Sequence, residues 1–165
     1  MRAMDIVFRR ADNRDCALAQ QIVDRALRDY GLHVVLDVDD RDLTDLEQYY
    51  DAKGGAFEVI ELGGAPVGVV SWRAGEGGVV ELKKLYLLAE ARGHGIGRRA
   101  VERVIALARV AGARAIVLET AGRLTEAVAL YRRMGFQPVS GADAGAFATL
   151  ADQCDAAYRL ELSQR

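Results

Sequence analysis

The spacing of hydrophobic positions changes several times along the chain, and each change marks an element. Short alternating or continuous apolar runs at Ile6–Arg10 and Ala56–Leu62, and at 66–73, 79–88, 115–118, 136–139 and 156–162, predict seven strands. Other segments repeat at helical spacing. Ala19, Ile22, Val23, Ala26, Leu27 and Tyr30 form one stripe, which starts after Asp12 and Asp15 and stops at Gly31. Val101, Val104, Ile105 and Ala108 form a second within 98–111, and Ala127, Leu130, Tyr131 and Met134 a third within 124–134. Gly112 and Gly135 end these two helices. A shorter helix is predicted over 42–52, inside the polar and acidic stretch 32–53. Gly63 and Gly64 join two strands as a hairpin, residues 75–78 make the next turn, and a Gly/Ala-rich loop over 140–151 separates the last two strands. The result is a mixed α/β domain of seven strands and four helices.

Composition narrows the class. A chain of 165 residues fits one domain, 1–165, and is long enough to bury about 70% of the surface its unfolded form exposes. With 51% hydrophobic and 28% charged residues it is not a disordered chain. A net charge of −2 gives no whole-molecule footprint for nucleic acid or an anionic membrane. No apolar run approaches the roughly 18 residues of a membrane span, and Met1 to Arg10 lacks a signal-peptide core, so a soluble cytoplasmic protein is expected. Two cysteines outside any CxxC spacing and two histidines argue against a Cys/His metal site. The unusual count is 17 glycines against 2 prolines, and the positions of those glycines matter more than their number.

Gly93, Gly95 and Gly97 alternate between a predicted strand and a predicted helix, in Arg92-Gly93-His94-Gly95-Ile96-Gly97-Arg98. Amides at a helix N-terminus attract an anion, and missing side chains let a phosphate approach the backbone, so the turn suits a pyrophosphate. The spacing is not a dinucleotide fingerprint, because Arg98 or Ala100 falls where the third glycine belongs. It is not a P-loop, which needs Gly-Lys followed by Ser or Thr. A bare strand-to-helix turn is the plain alternative.

The loop Arg92 to Gly97, preceded by Leu85-Tyr86-Leu87 and followed by Ala129-Leu130-Tyr131-Arg132-Arg133-Met134-Gly135-Phe136, resembles the GCN5-related N-acetyltransferase family. The match is strong from Glu81 to Phe136. The resemblance implies a mostly antiparallel, splayed seven-stranded sheet flanked by about four helices, with acetyl-CoA as co-substrate in a cleft where the strand ending near Leu88 leaves the strand 115–118. It implies pantetheine amides against the backbone of Leu85, Tyr86 and Leu87, and phosphates on Arg92, Gly93, His94, Gly95, Ile96, Gly97 and Arg98. Many members carry an Asn where this chain has Leu124, so that side-chain contact to the cofactor does not carry over.

Acetyl transfer to an amine needs a neutral amine, an oxyanion donor and a proton for the departing thiolate. The resemblance assigns the proton to Tyr131, whose other reading is a core tyrosine on the apolar stripe. It offers Glu81 as general base, against a solvated ion pair with Lys83 on the same strand face. A water chain is a second route for that proton. His94 receives no catalytic role, and no Cys-His-Asp pattern supports a cysteine acyl-enzyme at Cys16 or Cys154. The acidic run Asp37 to Glu47 would wall the acceptor side in the resembled fold, favouring a cationic amine; helix capping explains the same residues. Tyr49 and Tyr50 line that wall or pack on the sheet. The leading expectation is an N-acetyltransferase acting on a primary amine of a small molecule or peptide through a ternary complex, with no metal, nucleic acid or membrane partner. A CoA-binding sensor without chemistry is the alternative. The last strand can pair within the monomer or across a homodimer.

Overall fold

A computed structural model describes residues 4–140 and 154–163. The elements run β1 (Ile6–Arg10), α1 (Cys16–Arg28), α2 (Leu46–Tyr49), β2 (Ala56–Leu62), β3 (Ala65–Ala74), β4 (Val79–Leu87), α3 (Ile96–Val110), β5 (Ala115–Thr120), α4 (Thr125–Arg133), β6 (Gln137–Val139) and β7 (Ala156–Glu161). The strands form one sheet in the order β1-β2-β3-β4-β5-β7-β6. Every neighbouring pair is antiparallel except β4 with β5, which α3 connects as a crossover. The predicted loop over 140–151 lies, apart from residue 140, outside the described residues.

Seven strands and the long helices sit where hydrophobic spacing puts them, with α3 starting two residues sooner than the periodicity indicates. The segment 42–52 differs. Instead of one helix it forms a 3-10 turn at Arg41–Thr44, the single helical turn α2, and a second 3-10 turn at Asp51–Lys53. Asp45 interrupts it with extended backbone (φ −156°, ψ 85°) while its side chain accepts from the Gln48 amide, a local bond that competes with continuous helix. Leu43, Leu46 and Tyr50 are all buried beside β2, so packing dictates the broken path.

Two apolar layers sandwich the sheet. On one face α3 and α4 bring Val101, Val104, Ala108 and Tyr131 onto Val80, Leu82, Ile116, Leu118, Phe136 and Tyr158. On the other, α1 and the 3-10 segment bring Ile22, Val23, Leu27, Leu43 and Tyr50 onto Phe57, Val59 and Val69. Tyr50 meets Phe57 edge to face with ring centroids 5.4 Å apart.

Two irregularities interrupt the middle of the sheet. Between the pairs Val70 with Leu85 and Trp72 with Leu82, one residue of β3, Ser71, stands opposite two of β4, Lys83 and Lys84. That is a β-bulge, which turns extra side chains toward one face. Just there the parallel pairing of β4 with β5 ends, at Leu82 with Leu118. Strand β4 continues to Leu87 and β5 to Thr120 with no ladder between them, so the sheet forks.

Candidate active site

Backbone groups of β4 beyond the fork have β3 on one side only, which leaves donors and acceptors on the other side for a ligand. A cleft of about 760 Å³ opens there. Leu85, Tyr86 and Leu87 supply one wall; Arg92, Gly93, Gly95, Ile96, Gly97 and Arg98 supply its end; α4 contributes Ala127 and Leu130, and Leu124 and Thr125 stand at that helix's start. Ala26 and Tyr30, from α1 and the turn after it, close it from the other face.

The three glycines have different physical reasons. Gly93 and Gly95 adopt φ of +78° and +75°, with open space where a Cβ would stand, so backbone conformation alone selects them. Gly97 lies inside α3, where a Cβ would come within 3.2 Å of Leu130 and 3.7 Å of Leu87; it lets the helix pack closely on β4 and α4. Gly95 caps α3 without a side-chain hydrogen bond, so the first amides of the helix face the cleft unclaimed by a cap. That arrangement binds anions.

Arg92 lines the cleft, but its guanidinium is engaged locally. Nε donates to the Leu87 carbonyl at 3.0 Å, Nη1 meets Asp29 at 3.0 Å, and the group stacks 5.2 Å over the Tyr30 ring. It pins the glycine loop to β4 and α1. Arg98 pairs with Glu102 one turn on, and His94 is exposed and outside the cleft lining. Leu124 does line the cleft, so an apolar side chain stands at that place.

Tyr131 is buried in α4 against Phe136 and Tyr158, with centroids at 5.6 and 6.4 Å, and lies behind the cleft wall. Burial raises its phenol above the ordinary tyrosine range, and the Tyr86 phenol adds to the shift. The group stays protonated at neutral pH. Glu81 lies in the paired part of β4, before the fork, and does not line the cleft. It is buried, and its partner is Arg73 at 2.8 Å rather than Lys83.

On the α1 face of the bulge the structure shows a polar cluster that spacing did not indicate. The Lys84 ammonium, buried, meets Asp40 at 3.0 Å and Asp42 at 3.1 Å. The Tyr50 hydroxyl donates to Asp42, the Lys84 amide donates to Ser71 Oγ at 3.0 Å, and Asp40 accepts from the Val35 amide at 2.8 Å. Burial alone would lower the Lys84 ammonium; the neighbouring Asp42, Tyr50 and Asp40 outweigh it and hold it well above its ordinary value. Burial, with Asp42 beside it, lifts Tyr50 well above its own. Asp45 caps α2 and accepts from Asn13, and Glu47 accepts from the Asn13 amide. Much of the acidic run therefore serves capping and internal pairing. The cluster's one sequence signal was a lysine pair within β4, a strand whose other charged residue is Glu81. Tyr30 and Ala26 were also missed as lining, because their helical stripe reads as core.

Cys16 and Cys154 are free thiols. Among the described residues, no group of three or more His, Cys, Asp or Glu side chains is placed to hold a metal ion, and no helix is long and apolar enough to cross a membrane.

A forked mixed sheet with a glycine turn feeding a helix at its cleft is the arrangement that the resemblance to the GCN5-related N-acetyltransferases implies. Comparison with known proteins agrees. The family model for the acetyltransferase (GNAT) family matches residues 19–136, and the chain belongs to that family. An uncharacterized N-acetyltransferase of Escherichia coli K12, YjgM, is 31% identical over 138 residues, covering 81% of this chain and 83% of that one. An acetyltransferase of the GNAT family from Staphylococcus aureus Mu50 superposes with a TM-score of 0.86 at 21% identity, over 96% of this chain and 100% of that one. The structure of yncA from Salmonella typhimurium, solved with its cofactor acetyl-CoA, superposes with a TM-score of 0.68 at 23% identity, over 99% of this chain and 96% of that one.

Proposed function

We propose that this protein transfers the acetyl group of acetyl-CoA to the primary amine of a small molecule or peptide, by direct attack while both are bound. The observation that carries the reading is the coincidence, in one cleft, of the unpaired edge of β4 and the uncapped N-terminus of α3. Acetyl-CoA supplies a carbonyl activated as a thioester. The amides at the start of α3 hold its pyrophosphate, and the backbone of Leu85 to Leu87 takes the amides of its pantetheine arm as an added strand would be taken. A β4 amide near the fork, aimed into the cleft, supports the oxygen that gains charge during attack. Tyr131 retains its proton at neutral pH and donates it to the departing sulfur. The amine proton leaves through water, since Glu81 is committed to Arg73.

Two measurements test the reading. Acetyl-CoA and CoA raise the melting temperature at concentrations above their Kd, whereas NAD and ATP do not. Thiol release follows when an amine panel is added. Absence of stabilisation by either CoA species would overturn the reading, and stabilisation with no turnover on any amine would favour the sensor alternative.

A further inference from the structure

The charges on the acceptor side of the fork can be accounted for one by one. Lys84 is neutralised by Asp40 and Asp42, and Arg73 by Glu81. Lys83 is different. It is the first residue of β4 past the last β4–β5 pair, so it stands at the vertex of the fork. The bulge sets it and Lys84 together opposite Ser71, on the face where Lys84 meets Asp40 and Asp42. Among the described residues no carboxylate lies within 4.0 Å of its ammonium. Asp42 is already engaged by Lys84 and Tyr50.

A cation drawn partly out of water, with two further cations beside it, gains most from an anion delivered by a ligand. Burial and the Arg73 and Lys84 charges lower the Lys83 ammonium from its ordinary value, in keeping with that setting. We infer that the acceptor bears a carboxylate close to the amine it presents, and that Lys83 at the fork vertex holds that carboxylate. This inference rests on the acetyl-transfer reading and names its substrate class. It reverses the preference for a cationic amine suggested by the acidic run, because the acids of that run which lie nearest the fork are paired with Lys84.

Geometry supports the same assignment. The acetyl carbonyl is proposed to sit at the unpaired edge of β4, and Lys83 begins that edge. A carboxylate on Lys83 leaves an amine one or two bonds away within reach of the carbonyl, as in an α-amino acid. A plain amine of the same shape leaves the ammonium of Lys83 without its partner and binds less well.

The test uses the full chain with acetyl-CoA and matched acceptor pairs that differ only in the carboxylate, such as phenylalanine with phenethylamine and leucine with isopentylamine. The carboxylated members are expected to show kcat/KM about ten-fold or more above their partners. Lys83→Met is expected to raise KM for the carboxylated members by about ten- to a hundred-fold and so to close the gap within each pair, and Lys83→Arg to keep part of the preference. Equal kcat/KM within wild-type pairs, an equal loss for both members in Lys83→Met, or acetyl-CoA stabilisation with no turnover of any pair overturns the inference. The wild-type comparison needs no variant, so a folding defect cannot hide the answer. Acetyl-CoA stabilisation is measured on the same samples; its absence overturns the acetyl-transfer reading itself, whereas its presence with indifferent pairs overturns the carboxylate assignment alone.

Discussion

The two sides of the fork are built from different materials. On the cofactor side the groups presented to a ligand are backbone amides, set by two glycines with positive φ, a third glycine at a helix contact and an unpaired strand edge. On the proposed acceptor side they are side chains, organised by the buried Lys84 cluster and the lysine next to it. Backbone groups survive every substitution except proline, which removes an N–H. Side-chain charges can be deleted one at a time, and each deletion leaves its partners behind in a dry environment. The acceptor side should therefore fail abruptly under single substitutions, and the cofactor side gradually.

The sharpest challenge to that contrast is Lys84→Met. It leaves Asp40 and Asp42 buried without their cation, and a loss of about 3–5 kcal/mol in urea unfolding is expected. The triple variant Lys84→Met with Asp40→Asn and Asp42→Asn should recover most of that loss. If the single variant unfolds like wild type, the cluster is not what holds the acceptor side.

Tyr131→Phe comes next. It keeps the packing against Phe136 and Tyr158 but removes the proton, so kcat should fall about a hundred-fold, with the KM for acetyl-CoA and the melting temperature unchanged. The pH profile sharpens the same point. Burial raises the Tyr131 phenol, so its proton is retained to higher pH, and the alkaline loss of kcat it causes should lie above the ordinary tyrosine value of about 10. A Tyr131-dependent loss centred below about pH 9 would contradict the assignment.

On the cofactor side, Gly95→Ala forces a methyl group onto a left-handed backbone position that is otherwise open. A cost of about 1–2 kcal/mol is expected, read as roughly ten-fold weaker acetyl-CoA binding by calorimetry. The smallest effect belongs to Glu81→Gln. An amide can still accept from Arg73, and with water carrying the amine proton kcat should change by less than about three-fold. A fall of about a hundred-fold would make Glu81 the base after all.

This difference in materials also decides what the sequence could disclose. The strand end at Leu85 to Leu87, the glycine turn and the start of α3 are contiguous, and their spacing reflects local backbone geometry, so most residues lining that end of the cleft could be named from neighbouring positions, His94 excepted. Strand and helix periods likewise located the sheet. The acceptor cluster joins Asp40, Asp42 and Tyr50 to Ser71 and Lys84, and pairings across such chain distances leave no local period. The bulge compounded this. Simple alternation puts Glu81 and Lys83 on one face and opposes Lys84 to them, whereas two residues facing Ser71 bring Lys84 to the same side. The broken path over 42–52 was hidden for a related reason, since burial of Leu43, Leu46 and Tyr50 overrode a helix-compatible pattern.

The single tryptophan of the chain, Trp72, pairs across the ladder with Leu82, and Leu82 forms the last rung between β4 and β5. Its indole packs against the α3 side of the core while remaining partly accessible. The protein thus carries one intrinsic fluorophore at the crotch of its own fork. Emission excited at the tryptophan band reads a single site, with no background from a second indole and no label to perturb the cleft. Titrations with acetyl-CoA and then with an acceptor can be followed optically on the native chain, in the order in which the ligands arrive.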